Sequence, residues 1–329
     1  MLIWENYRSQ IKDDIAVKNR SRLYFFIIIF LFFLLQAQAF GKAESQMDQF
    51  IVIGDTGKQT TAQRDVAYSL KKYCELTDKS CDAAILLGDN VYDAGMESSN
   101  DPIMDIVFKD YYQNLAFPFY AILGNHDYGK LGRSLKRANF QLEYSKRNPQ
   151  FIMPQRYYYK VYKNAVVVFL DTTRMMWNND ISAQEELINN AKKIAIEKKL
   201  WLIVAGHHPL LSNGNHGNAG DYERTSFPAF VSGKHVKNFL LNHVCPNADV
   251  YLAGHDHSLQ ALPGSKAGCK SYLIVSGAGG SGYELSKRNV VDFEAPIPGY
   301  FHFNIGAREL VMTAVNAAAE EVFSKTLSR

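Results

Sequence analysis

The chain has 329 residues, with 36 Lys plus Arg against 33 Asp plus Glu, 47% apolar and 21% charged residues. That length supports one large domain or two ordinary ones with a sizeable core. A net charge of +3 with 22 Gly and 10 Pro excludes a dedicated nucleic-acid binder, a polybasic membrane-surface protein, a collagen-like chain and global disorder.

In chain order, the first feature is an apolar run. Residues 23–35 read LYFFIIIFLFFLL without a charge, after Arg20 and Arg22 and before Ala37-Gln38-Ala39. A basic flank, a short apolar stretch and an A-x-A end predict a secretory signal peptide over 1–39, and hence a secreted, periplasmic or lumenal protein. The alternative is an uncleaved anchor. Thirteen helical residues rise only about 20 Å against a hydrocarbon layer of about 30 Å, which favours cleavage. The mature chain, 40–329, then carries 31 basic and 30 acidic residues. It holds no repeat and no long linker, so it reads as a single domain.

Short β-rich apolar runs at 50–53, 84–87, 119–123, 166–170, 200–205 and 250–253 predict buried strands. Residues 61–76 and 183–198 have helical spacing, and Ser182 with Glu185 predicts a capping box at the start of the second. Runs at 271–275, 300–305 and 309–315 lack intervening helices and predict antiparallel strands completing a sheet. The expected fold class is α/β: a sandwich of two mixed β-sheets flanked by α-helices. Four cysteines, Cys74, Cys81, Cys245 and Cys269, predict two disulfides in an exported chain, with the local pairing Cys74–Cys81 and Cys245–Cys269. No CxxC or zinc-finger spacing occurs.

Five of the predicted strands run into polar clusters: Gly54-Asp55-Thr56-Gly57, Gly88-Asp89-Asn90-Val91-Tyr92, Gly124-Asn125-His126-Asp127, Gly206-His207-His208-Pro209 and Gly254-His255-Asp256-His257. Ligands bind outside the carboxyl ends of strands in α/β sheets. Any one cluster is an ordinary turn. Five together deliver carboxylates and imidazoles to one rim, which costs several kcal/mol in burial unless a cation compensates. Carboxylate, imidazole, amide and phenol donors without thiolate suit Fe, Zn or Mn, and seven donors suit two ions sharing a carboxylate. The glycine-rich stretch 277–282 lacks the Lys-Ser/Thr of a phosphate loop and reads as a strand-end turn. No GxSxG supports a serine-hydrolase elbow. Asp171-Thr172 ends a strand and reads as either structural or supporting the site. The three tyrosines at 157–159 read as a half-buried strand.

The motifs DxG, GDxxY, GNH[DE], VxxH and GHxH, all present in this order over 54–257, resemble those of the purple acid phosphatases of the small, tartrate-resistant type, within the calcineurin-like metallophosphoesterases. Residues 275–279 and 323–326 are similar to that type as well. Many relatives have His two residues after the first Asp; here Gly57 stands there and Tyr92 takes its place. Thr56 replaces a Trp common in the small enzymes. The resemblance implies a single metallophosphatase catalytic domain with Asp55, Asp89, Tyr92 and His257 on Fe(III), and Asp89, Asn125, His207 and His255 on Fe(II), Zn or Mn. His207 rather than His208 ends the VxxH register, leaving His208 to touch substrate or line the mouth.

Three negative charges against five positive, less one for a bridging hydroxide, leave +1 for a phosphate monoester. The implied reaction is attack of that hydroxide under acidic conditions, with His126 or His216 protonating the leaving group. The implied enzyme is a secreted, monomeric acid phosphatase acting on a small phosphate ester, with a phosphoprotein or nucleotide as further substrates. No nucleic-acid partner, and no membrane after cleavage, are expected. A phosphodiesterase or nucleotide hydrolase on the same dimetal site and a non-catalytic metallophosphatase-like scaffold are the alternatives.

Overall fold

The computed structural model describes residues 47–75 and 80–329; the expected signal peptide lies outside them. Strand β1 (Asp48–Ile53) leads into helix α1 (Thr61–Glu75), then β2 (Ala83–Leu86), β3 (Phe119–Ala121), α2 (Leu135–Ser145) and β4 (Phe151–Ile152). Next come β5 (Tyr158–Val161), β6 (Ala165–Phe169), α3 (Thr172–Met176), α4 (Ile181–Lys198) and β7 (Trp201–Ala205). Two short helices, α5 (Ala229–Ser232) and α6 (Lys234–Phe239), precede β8 (Val250–Ala253). Six strands and one 3-10 turn (Gly264–Ala267) finish the chain: β9 (Leu259–Pro263), β10 (Tyr272–Ser276), β11 (Phe293–Ala295), β12 (Gly299–Ile305), β13 (Glu309–Asn316) and β14 (Glu321–Ser328).

The strands form two seven-stranded sheets, ordered β14-β13-β12-β1-β2-β3-β4 and β11-β9-β10-β8-β7-β6-β5. Strands β1 to β4 are parallel, and β12 joins β1 antiparallel. Strands β6, β7, β8 and β10 are also parallel, with antiparallel β5 and β9 beside them. Both sheets are mixed, as expected.

The central strands of the second sheet bury both faces, which explains their unbroken apolar sequence. Val167 and Phe169 on β6, Ile203 on β7 and Leu252 on β8 face the other sheet and share a core with Phe50, Ile85 and Phe301. Their neighbours Val166, Val168, Val204 and Tyr251 point the opposite way, onto Ile188 and Ala191 of α4 and Val236 and Phe239 of α6. The period of two along a strand thus divides one sequence between two cores.

Two expectations need correction. The run at 271–275 does not complete a sheet with the other C-terminal strands: β10 enters the second sheet, parallel to β8, while β12, β13 and β14 extend the first. The residues around Ser182 form no capping box. Helix α4 starts at Ile181 behind Asp180, which has a left-handed backbone (φ 58°) and no side-chain cap bond. The Asp180 carboxylate is instead held by Arg156 at 3.1 Å and Arg174 at 3.0 Å. Strand β9 had no expectation at all. Both expected disulfides form, Cys74–Cys81 and Cys245–Cys269. Tyr158 on β5 is buried and stacks on Phe169 at 4.4 Å. Among the described residues, no helix is long and apolar enough to cross a membrane.

Candidate metal centre

The loops after β1, β2 and β3 of the first sheet meet the loops after β7 and β8 of the second at one edge of the sandwich. Local backbone conformation aims their side chains inward. Asp55, Asp89 and His255 all have positive φ, at 59°, 52° and 69°. Non-glycine residues avoid that region, and such conformations persist only where the surroundings over-determine them. Glycine is required beside them. A Cβ on Gly124 would lie 2.2 Å from Asp89 Oδ1, and one on Gly254 2.6 Å from Asp55 Oδ2.

All seven expected donors converge, in two groups joined by one carboxylate. In the first group the Tyr92 hydroxyl lies 2.9 Å from Asp55 Oδ1, 2.9 Å from Asp89 Oδ2 and 3.1 Å from His257 Nε2. In the second, His207 Nε2 lies 3.0 Å from Asn125 Oδ1, 3.2 Å from His255 Nδ1 and 3.4 Å from the same Asp89 Oδ2. Asp55, Asp89 and His207 are fully buried, and His255 and His257 nearly so.

This arrangement fits a pair of cations and is hard to sustain without them. The Tyr92 hydroxyl has one proton for two facing carboxylate oxygens. His207 Nδ1 is 2.8 Å from the Leu87 carbonyl, which accepts only, so Nδ1 carries the proton and the Nε2 lone pair faces two acceptor oxygens, Asn125 Oδ1 and Asp89 Oδ2. Burial opposes charge on His207, but the Asp89 carboxylate outweighs it and pushes the imidazole up to about 9. Burial first, then the charges of Asp55 and Asp89, push the Tyr92 phenol well above its ordinary value, so only a strong Lewis acid takes it as phenolate. Burial and the neighbouring imidazoles depress His255 well below an ordinary histidine, leaving it neutral and able to ligate. No thiol competes, because the chain's cysteines are all disulfide-bonded.

Supporting contacts come from residues outside the seven donors. Ser281, in the turn after β10, is 2.8 Å from His257 Nδ1. Thr172 Oγ1 accepts from the backbone N–H groups of His207 and His208, both at 3.1 Å, which resolves Asp171-Thr172 partly into a supporting role. Asp127 is buried and accepts from the N–H groups of Gly124 and Val91, at 2.8 and 3.0 Å, tying the Asn125 loop to the Tyr92 loop. No linear signal points to Ser281 or to the Leu87 carbonyl, because each acts through a contact between distant loops.

The two proton-donor candidates flank the donors. His126 packs against Tyr92 with ring centroids 4.3 Å apart, its Nδ1 2.7 Å from the Asp93 carbonyl. The His216 ring stacks on His255 at 4.1 Å, and its Nδ1 meets the Glu223 carboxylate. Glu223 was not anticipated. His208 does not line the mouth: it is buried, with Nδ1 2.9 Å from Thr172 Oγ1, because the turn after β7 swings it beneath His255.

Residues 49–259 match the family described as calcineurin-like phosphoesterase. The chain belongs to that family. Within this phosphoesterase family it is homologous to tartrate-resistant and purple acid phosphatases. Tartrate-resistant acid phosphatase type 5 of Rattus norvegicus is 27% identical, over 90% of this chain and 95% of the relative. The Homo sapiens protein of the same name is 25% identical, over 85% and 91%. Purple acid phosphatase 3 of Arabidopsis thaliana is 28% identical, over 74% of this chain and 66% of its own length. Among solved structures, "GAP50 the anchor in the inner membrane complex of Plasmodium" shares the fold at a TM-score of 0.63 and 21% identity, covering 86% of this chain and 89% of that one.

Proposed function

We propose that this phosphoesterase is an acid phosphatase of the purple type, hydrolysing phosphomonoesters with an Fe(III) ion and a divalent Fe, Zn or Mn ion. The observation that carries the reading is the double donor cluster, in which Asp89 Oδ2 serves both groups and a tyrosine hydroxyl completes the first. Asp55, Asp89, Tyr92 and His257 would hold the first ion; Asp89, Asn125, His207 and His255 the second. When bound, the pair supplies Lewis acidity at the phosphate oxygens and a water acidified enough to attack phosphorus below neutral pH.

The chain's own residues do the rest. Leu87 and Ser281 hold the His207 and His257 rings in ligating orientation. His126 and His216 are the proton donors available to the leaving oxygen. Glu223 accepts from His216 Nδ1 and fixes the ring, so that the imidazolium form alone has a second proton, on Nε2, to give to the leaving oxygen. Two disulfides suit an oxidising compartment, in keeping with export through residues 1–39. Small phosphate esters are the proposed substrates of a monomer that needs neither nucleic acid nor membrane.

The test is metal analysis of the purified protein together with hydrolysis of p-nitrophenyl phosphate at acidic pH. Two metal ions per chain, activity and a violet absorption are expected. Asp89→Asn should lose metal and at least 10²-fold in activity, and Tyr92→Phe should lose the violet band. Retained activity in Asp89→Asn overturns the reading. Faster turnover of bis-p-nitrophenyl phosphate than of the monoester replaces it with the phosphodiesterase. Metal without turnover of either ester leaves the scaffold.

A further inference from the structure

His216 stands on neither sheet. It belongs to a loop, residues 212–218, between β7 and α5, and that loop is gripped from outside by the segment joining β10 to β11. Arg288 Nη1 donates to the Ser212 carbonyl at 2.8 Å and to the Gly214 carbonyl at 3.1 Å. A Cβ on Gly217, whose φ is 89°, would lie 3.3 Å from the same Nη1. The guanidinium thus meets the loop both before and after His216. Asn289 beside it donates through Nδ2 to the Ser212 carbonyl at 2.9 Å and to Asn218 Oδ1 at 2.8 Å. Asn213 is buried, and its Nδ2 donates to Glu294 Oε2 on β11 at 2.6 Å.

The inner side of the loop closes on Asp256, which lies between His255 and His257 in sequence. Asp256 is buried, and its Oδ1 accepts from the His216 N–H at 2.9 Å. A Cβ on Gly214 would lie 2.2 Å from Asp256 Cγ, so the loop backbone rests directly on the carboxylate. The outer segment reaches the first donor group as well. Ser281 Oγ is 2.8 Å from His257 Nδ1, and the Tyr283 N–H donates to the His257 carbonyl at 2.8 Å. One strap, residues 281–289, therefore touches a donor side chain at one end and the His216 loop at the other. The ring of His216 has its own contact with Glu223, but that carboxylate is exposed, and surface ion pairs hold weakly. The place of His216 depends on its backbone.

We propose that Arg288 is a positioning residue for the proton donor His216: reaching over from the strap, it clamps the loop against Asp256 and fixes where His216 stands beside the donor groups. The inference rests on the phosphatase reading of the adjoining site. Arg288 acts only through the carbonyls of Ser212 and Gly214. A guanidinium suits the task, because one Nη carries two N–H groups in a fixed plane and can serve two carbonyls at once. In the step concerned, a water oxygen bonds to phosphorus and the P–O bond to the leaving group breaks. The leaving oxygen keeps the electron pair and takes the Nε2 proton of the His216 imidazolium.

Phenyl phosphate, a poor leaving group, and p-nitrophenyl phosphate, a good one, provide the test on the metal-loaded protein. A misplacement of about 1 Å costs up to roughly 10²-fold. Arg288→Met should lower kcat for phenyl phosphate by about ten- to a hundredfold and for p-nitrophenyl phosphate far less, with KM and metal content unchanged. Arg288 is exposed, so the substitution leaves both cores intact. Arg288→Lys should recover most of the loss. In a His216→Asn background, Arg288→Met should cost nothing further, because the two residues act as one unit. Equal loss on both esters, a loss through KM, or an undiminished loss in the His216→Asn background overturns the proposal. Amide hydrogen exchange decides the clamp without turnover: the His216 N–H should exchange at least about tenfold faster in Arg288→Met while the N–H groups of β7 and β8 do not change. An unchanged His216 rate overturns the proposal. If the unaltered protein does not hydrolyse p-nitrophenyl phosphate, the phosphatase reading fails, and the exchange rate still reports whether Arg288 holds the loop.

Discussion

Asp89 shows how much one side chain is asked to do. Its Oδ2 meets Tyr92 on one side and His207 on the other, while Oδ1 accepts from the His126 N–H at 2.9 Å. Burial works against its charge, yet the His207 and His126 imidazoles hold the carboxyl below the usual carboxylate range. Its positive φ is the local cost of serving two groups at once. His207 and His208, which the sequence separates by register alone, differ in what their Nδ1 atoms meet. His207 Nδ1 finds the Leu87 carbonyl and leaves Nε2 for the site, whereas His208 spends Nδ1 on Thr172. For the proton donor, the Glu223 contact favours His216. His216→Asn should then slow phenyl phosphate, a poor leaving group, by roughly 10²-fold or more, and p-nitrophenyl phosphate far less. Equal slowing of both esters transfers the role to His126.

Individual elements carry buried charges whose titration reaches the whole fold. Helix α3 begins at Asp171, whose Oδ1 accepts from the Arg174 N–H at 3.1 Å and whose Oδ2 accepts from the Tyr128 hydroxyl. Arg156 stands 3.7 Å away, and the side chain is fully buried. Burial raises the carboxyl from 3.8 to about 6, with Tyr128, Arg174 and Arg156 pulling the other way. The folded state therefore binds this proton more tightly than the unfolded chain. Stability from this group is fully present below about pH 4 and is lost as pH rises through 6, by about 3 kcal/mol at most. Urea unfolding of Asp171→Asn between pH 4 and 7 should show a flatter stability profile than the unaltered protein. This sign suits a protein working in acid.

Taken as a whole, the molecule places two sheets so that five strand ends share one edge. Two disulfides brace it from outside the site. Cys245–Cys269 closes 24 residues, linking the segment before β8 to the turn before β10, whereas Cys74–Cys81 closes only 7. Chain-entropy arguments make the longer closure worth about 3 kcal/mol and the shorter about 1 kcal/mol less. Replacing Cys245 and Cys269 together by Ala should lower Tm by roughly 5–10 °C, more than the same change at Cys74 and Cys81, as read by calorimetry. The smaller pair having the larger effect would contradict the entropic account.

The amino-acid sequence alone determined the α/β class, the positions of most central strands, both disulfides and the seven side chains that converge at the strand ends. Those features are local: apolar runs mark strands buried on both faces, and a glycine followed by polar donors marks where such a strand stops. It did not determine that β10 joins the second sheet, that α4 begins on a left-handed Asp180, or that Ser281 and Glu223 border the site. Sheet order and loop-to-loop contact join residues hundreds of positions apart, and nothing in the spacing along the chain encodes which loops will meet. Only the closing of the two sheets decided that.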